Sequence, residues 1–346
     1  MTEPTKAEVL RGLLEADDVL LMPAAFDALS ARIAEAVGYR AVFVSGQAVA
    51  NHLLGLPDYG YVGLGEMAMM CRFLSRATSL PLFVDADTGY GSAVHVLRAV
   101  QELEGAGAAG LFIEDQEPPP RAGHVGGRRL ISVDEMAGKI RAAVDARRDP
   151  AFVIGARTDA RGVEGADAAV ARANAYAAAG ADLTFVEGPL SLEEMERFSI
   201  EVRVRYRLLN LGGAAAQRTT PRPPLPAIKA MGYQAAFFAA NCSRAAVKGL
   251  WDYLVSVRES GPAADLAFIE SLRGYPFENW YEFTGYPALR AQEERYLPSG
   301  TMADRYTSTL GTYYVPPAPG AGPGAADDRV VTRNGALEDS RGGHRA

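Results

Sequence analysis

Cysteine is scarce in this chain: 346 residues contain only Cys71 and Cys242, too few for a disulfide framework or a zinc site. Positive charge is in deficit as well. Lys and Arg number 35 against 42 Asp and Glu, giving a net charge of −7 and a pI near 5.3. That balance argues against nucleic acid or an anionic membrane surface as the main partner. No run approaches the roughly 18–20 apolar residues that a membrane helix requires. Residues 2–16 carry charges throughout, without the apolar centre of a signal peptide. The first strand–helix turns lack a GxGxxG fingerprint, which weakens a dinucleotide-binding reading. No internal repeat stands out. What remains, 48% hydrophobic and 22% charged residues, is ordinary for a globular protein, and the length suits one large domain or two small ones. The bounds point to a cytoplasmic protein of enzyme size.

Against this background, residues 81–91 form the organising stretch. Leu82, Phe83 and Val84 have the length and composition of a buried parallel strand. The run ends in Asp85 and Asp87, then in the turn Gly89-Tyr90-Gly91. Side chains at i and i+2 of an extended chain point the same way, so the two carboxylates are expected to converge just past the strand. Clustered carboxylates raise each other's pKa unless a cation neutralises them. A hard divalent ion, Mg²⁺ foremost, meets that need; a solvated loop carrying two acids is the blander alternative. A second apolar strand, Gly110 to Ile113, also ends in acids, Glu114 and Asp115. Between the two strands Val94, Leu97, Val100 and Leu103 recur at helical spacing, which makes a βαβ unit.

The rest of the chain repeats the pattern. Apolar strands are predicted at 19–24, 41–44, 152–156, 183–186, 206–209 and 235–239, nearly all followed by helices and ending in polar residues or glycine. Among the helices, one running from Ser132 has Glu135 three residues on, as in a capping box. Eight such βα units predict an α/β protein of the (β/α)₈ TIM-type barrel class rather than an open doubly wound sheet. The barrel with its C-terminal helices is assigned to residues 1–295. The extension 296–346, rich in Pro, Gly and charge, is expected to be disordered from about residue 316. The aromatic cluster Tyr275, Phe277, Trp280, Tyr281, Phe283 and Tyr286 is too apolar to stand exposed on a monomer and predicts packing against the barrel or another subunit.

Five stretches taken together resemble the isocitrate lyase/phosphoenolpyruvate mutase superfamily: Val44 to Gln47, Leu54 to Asp58, Val84 to Gly91, Ile113 to Gln116 and Ala156 to Asp159. The similarity is greatest to short-chain 2-methylisocitrate lyases and carboxyphosphonoenolpyruvate phosphonomutases, and it covers residues 5–295. The resemblance implies a barrel whose eighth helix is swapped between subunits in a dimer of dimers. It implies Mg²⁺, with Mn²⁺ as the alternative, near Asp85 and Asp87, with Asp58 and Glu114 reaching it through water. Ser45 and Gly46 would hold a small anionic carboxylate substrate through backbone N–H groups, with Gln47 in the same motif. Arg157 would pair with the α-oxy acid, and Glu187 and Asn210 would line the pocket. Such a site stabilises negative charge on an α-oxycarboxylate while a bond two atoms away breaks or forms.

The pattern breaks in the substrate half. The family's lyases carry a cysteine acid/base on a mobile lid, but the corresponding stretch here is Pro120-Arg121-Ala122-Gly123-His124, and Ala122 has no proton to give. After the seventh strand a family glutamate is replaced within Asn210-Leu211-Gly212-Gly213, and the loop beyond it is longer. The eighth strand ends in Asn241 and Cys242 instead of Pro-Leu-Ser. Arg121, His124, Asn241 and Cys242 are therefore candidates for the rebuilt half, with His124 or Cys242 as replacement acid. Cys71 sits in an apolar helix and reads as core; His52 and His95 read as structural. The leading expectation is an Mg²⁺-dependent lyase that breaks or forms a C–C bond in a small α-oxy or 2-oxo carboxylate through an enolate-like intermediate. Phosphonomutase or phosphonopyruvate hydrolase chemistry on a P–C bond, oxaloacetate-type decarboxylation or hydrolysis, and a non-catalytic binding barrel are the alternatives.

Overall fold

A computed structural model describes residues 3–123, 125–212 and 220–298, together with the backbone of a two-residue antiparallel pair, Val330–Val331 with Leu337–Glu338. The chain divides into two compact units, residues 1–251 and 252–346.

The first unit is a closed parallel barrel. Its strands are β1 (Leu20–Ala25), β2 (Val42–Val44), β3 (Leu82–Asp85) and β4 (Gly110–Glu114), then β5 (Val153–Thr158), β6 (Leu183–Val186), β7 (Tyr206–Asn210) and β8 (Ala235–Phe238). Each pairs with the next in parallel, and β8 closes on β1 with Leu20 beside Ala235. Around them lie α1 (Lys6–Glu15), α2 (Ala28–Val37), α3 (Gly46–Val49), α4 (Leu64–Ala77) and α5 (Ala93–Gly105). The series continues with α6 (Val133–Ala146), α7 (Ala166–Ala178), α8 (Leu192–Glu201), α9 (Leu225–Ala230) and α10 (Asn241–Ser260).

Strand alternation sorts the apolar residues into two layers. Phe43, Phe83, Phe112, Phe185 and Phe237 point inward with Leu20, Met22 and Leu208, and Leu10 and Leu14 of α1 join this inner cluster. Phe43 and Phe237 lie 4.2 Å apart, and Phe112 meets Phe185 edge-on at 5.0 Å. Val42, Val44, Val84, Leu111 and Ile113 point outward, onto Met67, Cys71, Val96, Val100 and Ile140 of the helices. Near-continuous apolar runs in the sequence are thus strands buried on both faces. The helices start on local signals: Thr5 and Glu8 form a capping box on α1, Asp27 caps α2, and Ser132 accepts from the Glu135 N–H. Cys71 is fully buried, and burial pushes its thiol up to about 12.

After Ser45 the chain is helical: α3 runs into a π-helical turn, Ala50–Leu54. α10 starts at Asn241, directly after β8. In the second unit the helices are α11 (Pro262–Ser271), α12 (Trp280–Thr284) and α13 (Tyr286–Tyr296). Its aromatic rings stack on one another, Tyr275 on Phe277 at 5.1 Å and Tyr281 against Tyr286 at 5.1 Å, while Tyr275, Trp280, Tyr281 and Tyr286 stay exposed. Apart from the two-residue pair, the tail expected to be disordered lies outside the described residues.

Phe112→Ala removes the ring that touches Phe43, Phe83, Phe185 and Phe237. It is expected to cost about 3–5 kcal/mol in guanidinium unfolding; a loss below about 1 kcal/mol would contradict an inner layer packed around this residue.

Candidate active site

The carboxyl ends of the strands open onto a cavity of about 300 Å³. Ser45, Gln47, Asp58, Asp85, Arg157, Glu187 and Asn210 line it, as do Ala122 and Gly123 of the loop after β4. Gly46, Asp58, Asp85, Asp87 and Tyr90 surround a small adjoining recess.

Asp85 and Asp87 meet at this recess by a different route from the one predicted. Asp87 is not extended; its φ is +53°, in the left-handed region. The turn is held by hydrogen bonds on every side. The Asp85 carboxylate accepts from the Asp87 N–H at 3.0 Å, and Asp87 accepts from the Thr88 N–H at 2.7 Å. Across to β4, the Ala86 N–H donates to Phe112 O, and the Glu114 N–H to Asp87 O. From below, the buried Lys139 ammonium donates to Thr88 O at 3.1 Å. Gly89 is obligatory: its φ is +82°, and a Cβ there would lie 2.6 Å from Val96.

Opposite stands Arg157, buried at the end of β5. Its Nε and Nη2 donate to the two oxygens of Asp159 at 2.8 and 3.0 Å, its Nη1 lies 3.1 Å from Glu114, and its guanidinium lies over the Phe185 ring. Arg128 adds a 2.6 Å bond to Asp159. Beneath, Asp115 accepts from Thr158 Oγ1, the Asp159 N–H and Tyr176 Oη, bracing β4 against β5. On the far wall Asn210 Nδ2 donates to Glu187 at 3.1 Å, and the Gly212 N–H donates to Asn210 Oδ1.

The electrostatics follow from burial. Asp58 is pushed up to about 6, by desolvation and then by Asp85. Asp87 is pushed up to about 7, again by desolvation first and Asp85 second. Asp85 and Glu114 are raised by burial, which outweighs the opposing pull of Arg157. Burial also works against the charge on Arg157, but Asp159, Glu114 and Glu187 overcome it and hold the guanidinium protonated. Burial and the nearby Asp87 and Asp85 raise Tyr90, whose hydroxyl is buried without a hydrogen-bond partner.

This donor set fits a hard divalent cation. The acids are oxygen ligands in excess of the nearby positive charge, and Tyr90, with its orphaned hydroxyl, lines the same recess. Among the described residues no three His, Cys, Asp or Glu side chains are arranged to hold a metal ion, so an ion here would be held by one or two carboxylates, with water completing its shell.

At the cavity the Gly46 N–H is directed at Asp85 Oδ2 at 3.4 Å, and Ser45 Oγ accepts from the Ala48 N–H. Other predicted residues are placed elsewhere. Arg121 does not line the cavity; its guanidinium donates to Gly126 O and Tyr59 Oη. Neither Asn241 nor Cys242 is on the cavity wall, because α10 begins immediately after β8 and turns the thiol away toward Ala24. His52, an exposed residue, shares a hydrogen bond with Ser243 at 2.9 Å and stacks on Phe26 at 3.8 Å. His124 and the long loop 213–219 lie outside the described residues. Sequence reading gave no role to Asp159, Lys139 and Tyr90. The first belongs to the quoted Ala156–Asp159 motif; the others carry no local pattern that separates them from surface or core residues.

The closed parallel barrel with its acids gathered at the strand carboxyl ends places the protein among the (β/α)₈-barrel enzymes. A family model described as phosphoenolpyruvate phosphomutase matches residues 10–258. The chain belongs to that family, within the isocitrate lyase/phosphoenolpyruvate mutase superfamily. A 2-methylisocitrate lyase of Aeropyrum pernix is 40% identical over 278 residues, covering 80% of this chain and 87% of its own. A 2,3-dimethylmalate lyase of Eubacterium barkeri is 35% identical over 292 residues, covering 84% and 98%. A phosphonopyruvate hydrolase solved with oxalate and Mg²⁺ superposes with a TM-score of 0.74 at 28% identity, covering 85% of this chain and all of that one (100%).

The raised acids predict the pH dependence of the metal-free chain. Between the ordinary aspartate value of 3.8 and about 7, the folded chain holds protons on Asp58 and Asp87 that the unfolded chain has released. Stability must therefore fall as pH rises through that window. Melting with a chelator present should give a lower Tm at pH 8 than at pH 5.5, and in Asp87→Asn the drop should shrink. An equal drop in wild type and variant would show that Asp87 does not carry it.

Proposed function

We propose that this protein is an Mg²⁺-dependent carbon–carbon lyase, or the reverse aldol-type condensation, acting on a small α-oxy or 2-oxo carboxylate through an enolate-like intermediate. The reading rests on one observation: Asp58, Asp85, Asp87 and Glu114 gather at the barrel mouth around the Arg157 guanidinium. Asp85 and Asp87 would hold the ion, with Asp58 and Glu114 behind them. Bound there, a divalent cation supplies Lewis-acid stabilisation of negative charge on the substrate's oxy and carboxylate oxygens.

The protein's own groups supply the rest. Arg157, fixed in orientation by Asp159, presents positive charge to the substrate from the cavity wall, where a preorganised charge is worth more than in water. Ser45 and Gln47 define one wall, Glu187 and Asn210 the other. The loop from Ala122 to Gly123 passes so close to Glu187 that a Cβ on Gly123 would lie 2.6 Å from it, so this loop shields the reacting atoms from water. Proton delivery to the carbanion is the altered step. Ala122 stands on the cavity wall where a thiol is expected, and His124 remains the proposed acid.

The same observation favours a second reading. Cleavage of a P–C bond, or hydrolysis of an oxaloacetate-like acid, needs no thiol donor, and the phosphonopyruvate hydrolase is among the similar structures.

The implied assembly belongs to this proposal too. Val247, Leu250, Trp251 and Leu254 recur at helical spacing and are exposed along α10, the kind of stripe that an exchanged helix in a dimer of dimers would cover. A cytoplasmic setting is likewise proposed; among the described residues no helix is long and apolar enough to cross a membrane.

A thermal-shift screen with Mg²⁺ against methylisocitrate, isocitrate, dimethylmalate, oxaloacetate, phosphonopyruvate and phosphoenolpyruvate, followed by mass spectrometry of products, tests the reading. Turnover of a C–C substrate that vanishes in Asp87→Ala supports a lyase. On that substrate Ala122→Cys should raise kcat by about 10²–10⁴-fold, the usual worth of a placed general acid. Turnover confined to phosphonopyruvate selects the P–C reading, and no metal-dependent stabilisation by any acid overturns both.

A further inference from the structure

Tyr90 is unexplained by the site as described so far. Among the described residues it is one of two non-glycine residues with a left-handed backbone, φ +58°, and the other is Asp87, three residues earlier. Such conformations are costly outside glycine and persist only where the surroundings enforce them. Here the strain turns Tyr90 back under the loop. Its ring packs on the outer hydrophobic layer, and its hydroxyl is sealed from solvent with no hydrogen-bond partner. Buried hydroxyls almost always have one.

Tyr90 lines the recess shared with Asp58, Asp85 and Asp87, and the charges of Asp87 and Asp85 act on its phenol. That recess measures about 10 Å³, close to the space one water occupies. Its walls supply what a trapped water needs: carboxylate oxygens to accept its protons and a phenol to donate to its oxygen. Asp58, Asp85 and Asp87 contribute only acceptors when ionised, so the phenolic proton complements them.

We propose that Tyr90 is a positioning residue that donates its hydroxyl proton to a single water held between Asp58, Asp85 and Asp87, and that this water belongs to the hydration of the divalent ion. The inference rests on the metal-dependent reading above. It gives the strained turn a purpose: the same backbone twist that brings Asp87 to the recess brings the phenol to its other side. Groups that orient metal ligands from behind typically control affinity by about 10–100-fold.

Tyr90→Phe removes only the hydroxyl and leaves the ring packing. Titration calorimetry with MgCl₂ on the full chain should show binding weakened about 10–100-fold, and proton relaxation with Mn²⁺ should show a changed number or exchange rate of bound waters. In chelator, where the hydroxyl has no ion hydration to organise, the variant should melt no lower than wild type, while the rise in Tm produced by Mg²⁺ should be smaller. Wild-type affinity and water relaxation in Tyr90→Phe would overturn the inference and leave the metal reading standing. Equal destabilisation with and without Mg²⁺ would reduce the hydroxyl to packing and also overturn it. Absence of Mg²⁺ and Mn²⁺ binding in the wild type would sink this inference together with the metal-dependent reading.

Discussion

Burying negative charge is expensive, and the mouth of this barrel buries a great deal of it. Asp58, Asp85, Asp87, Glu114 and Asp159 crowd around Arg157, with Arg128 as a second positive neighbour of Asp159. An isolated carboxylate in such surroundings takes up a proton rather than stay charged, and Asp58 and Asp87 move in that direction, toward about 6 and 7. The site holds this strain in place by spending rigid hydrogen bonds on it. Arg157 is gripped from two sides, Asp115 ties β4 to β5, and Lys139 is buried to support one carbonyl of the acidic turn.

The scaffold explains why that arrangement survives. Inside the barrel five phenylalanines interlock beneath the site, so the strand ends cannot shift to relieve the charge. Outside, Val, Leu and Ile side chains of alternate register anchor the same strands to the helices. Chemistry is thus confined to loops that begin and end on immobile points, as is general for this barrel class. The acidic turn after β3 is clamped by hydrogen bonds from β4 and from Lys139.

The sequence by itself determined the architecture and the acidic half of the site. Eight short apolar runs at regular spacing, each closing in polar residues or glycine, can bury both faces only in a parallel sheet wrapped by helices. The residues at the ends of those runs, Asp85, Arg157, Glu187 and Asn210, had to face the same end of the barrel. One helix start was legible too, because Ser132 acts on its own neighbour Glu135.

Only the tertiary structure decided how those groups are used. Asp85 and Asp87 meet because Asp87 adopts a left-handed backbone held by β4 and Lys139, not because alternate residues of a strand share a face. Arg157 is committed to Asp159, two residues on, and to Glu114, the partner that the β4–β5 register sets beside it. Cys242, which a linear reading set at a strand end, is carried off the cavity wall by the early start of α10. Tyr90 looked like one more aromatic in a glycine turn until its hydroxyl was seen sealed beside three carboxylates. Local patterns report what a residue can do with neighbours three or four positions away; contacts such as Gly46 with Asp85 and Thr88 with Lys139 join groups 39 and 51 positions apart and depend on the barrel having closed.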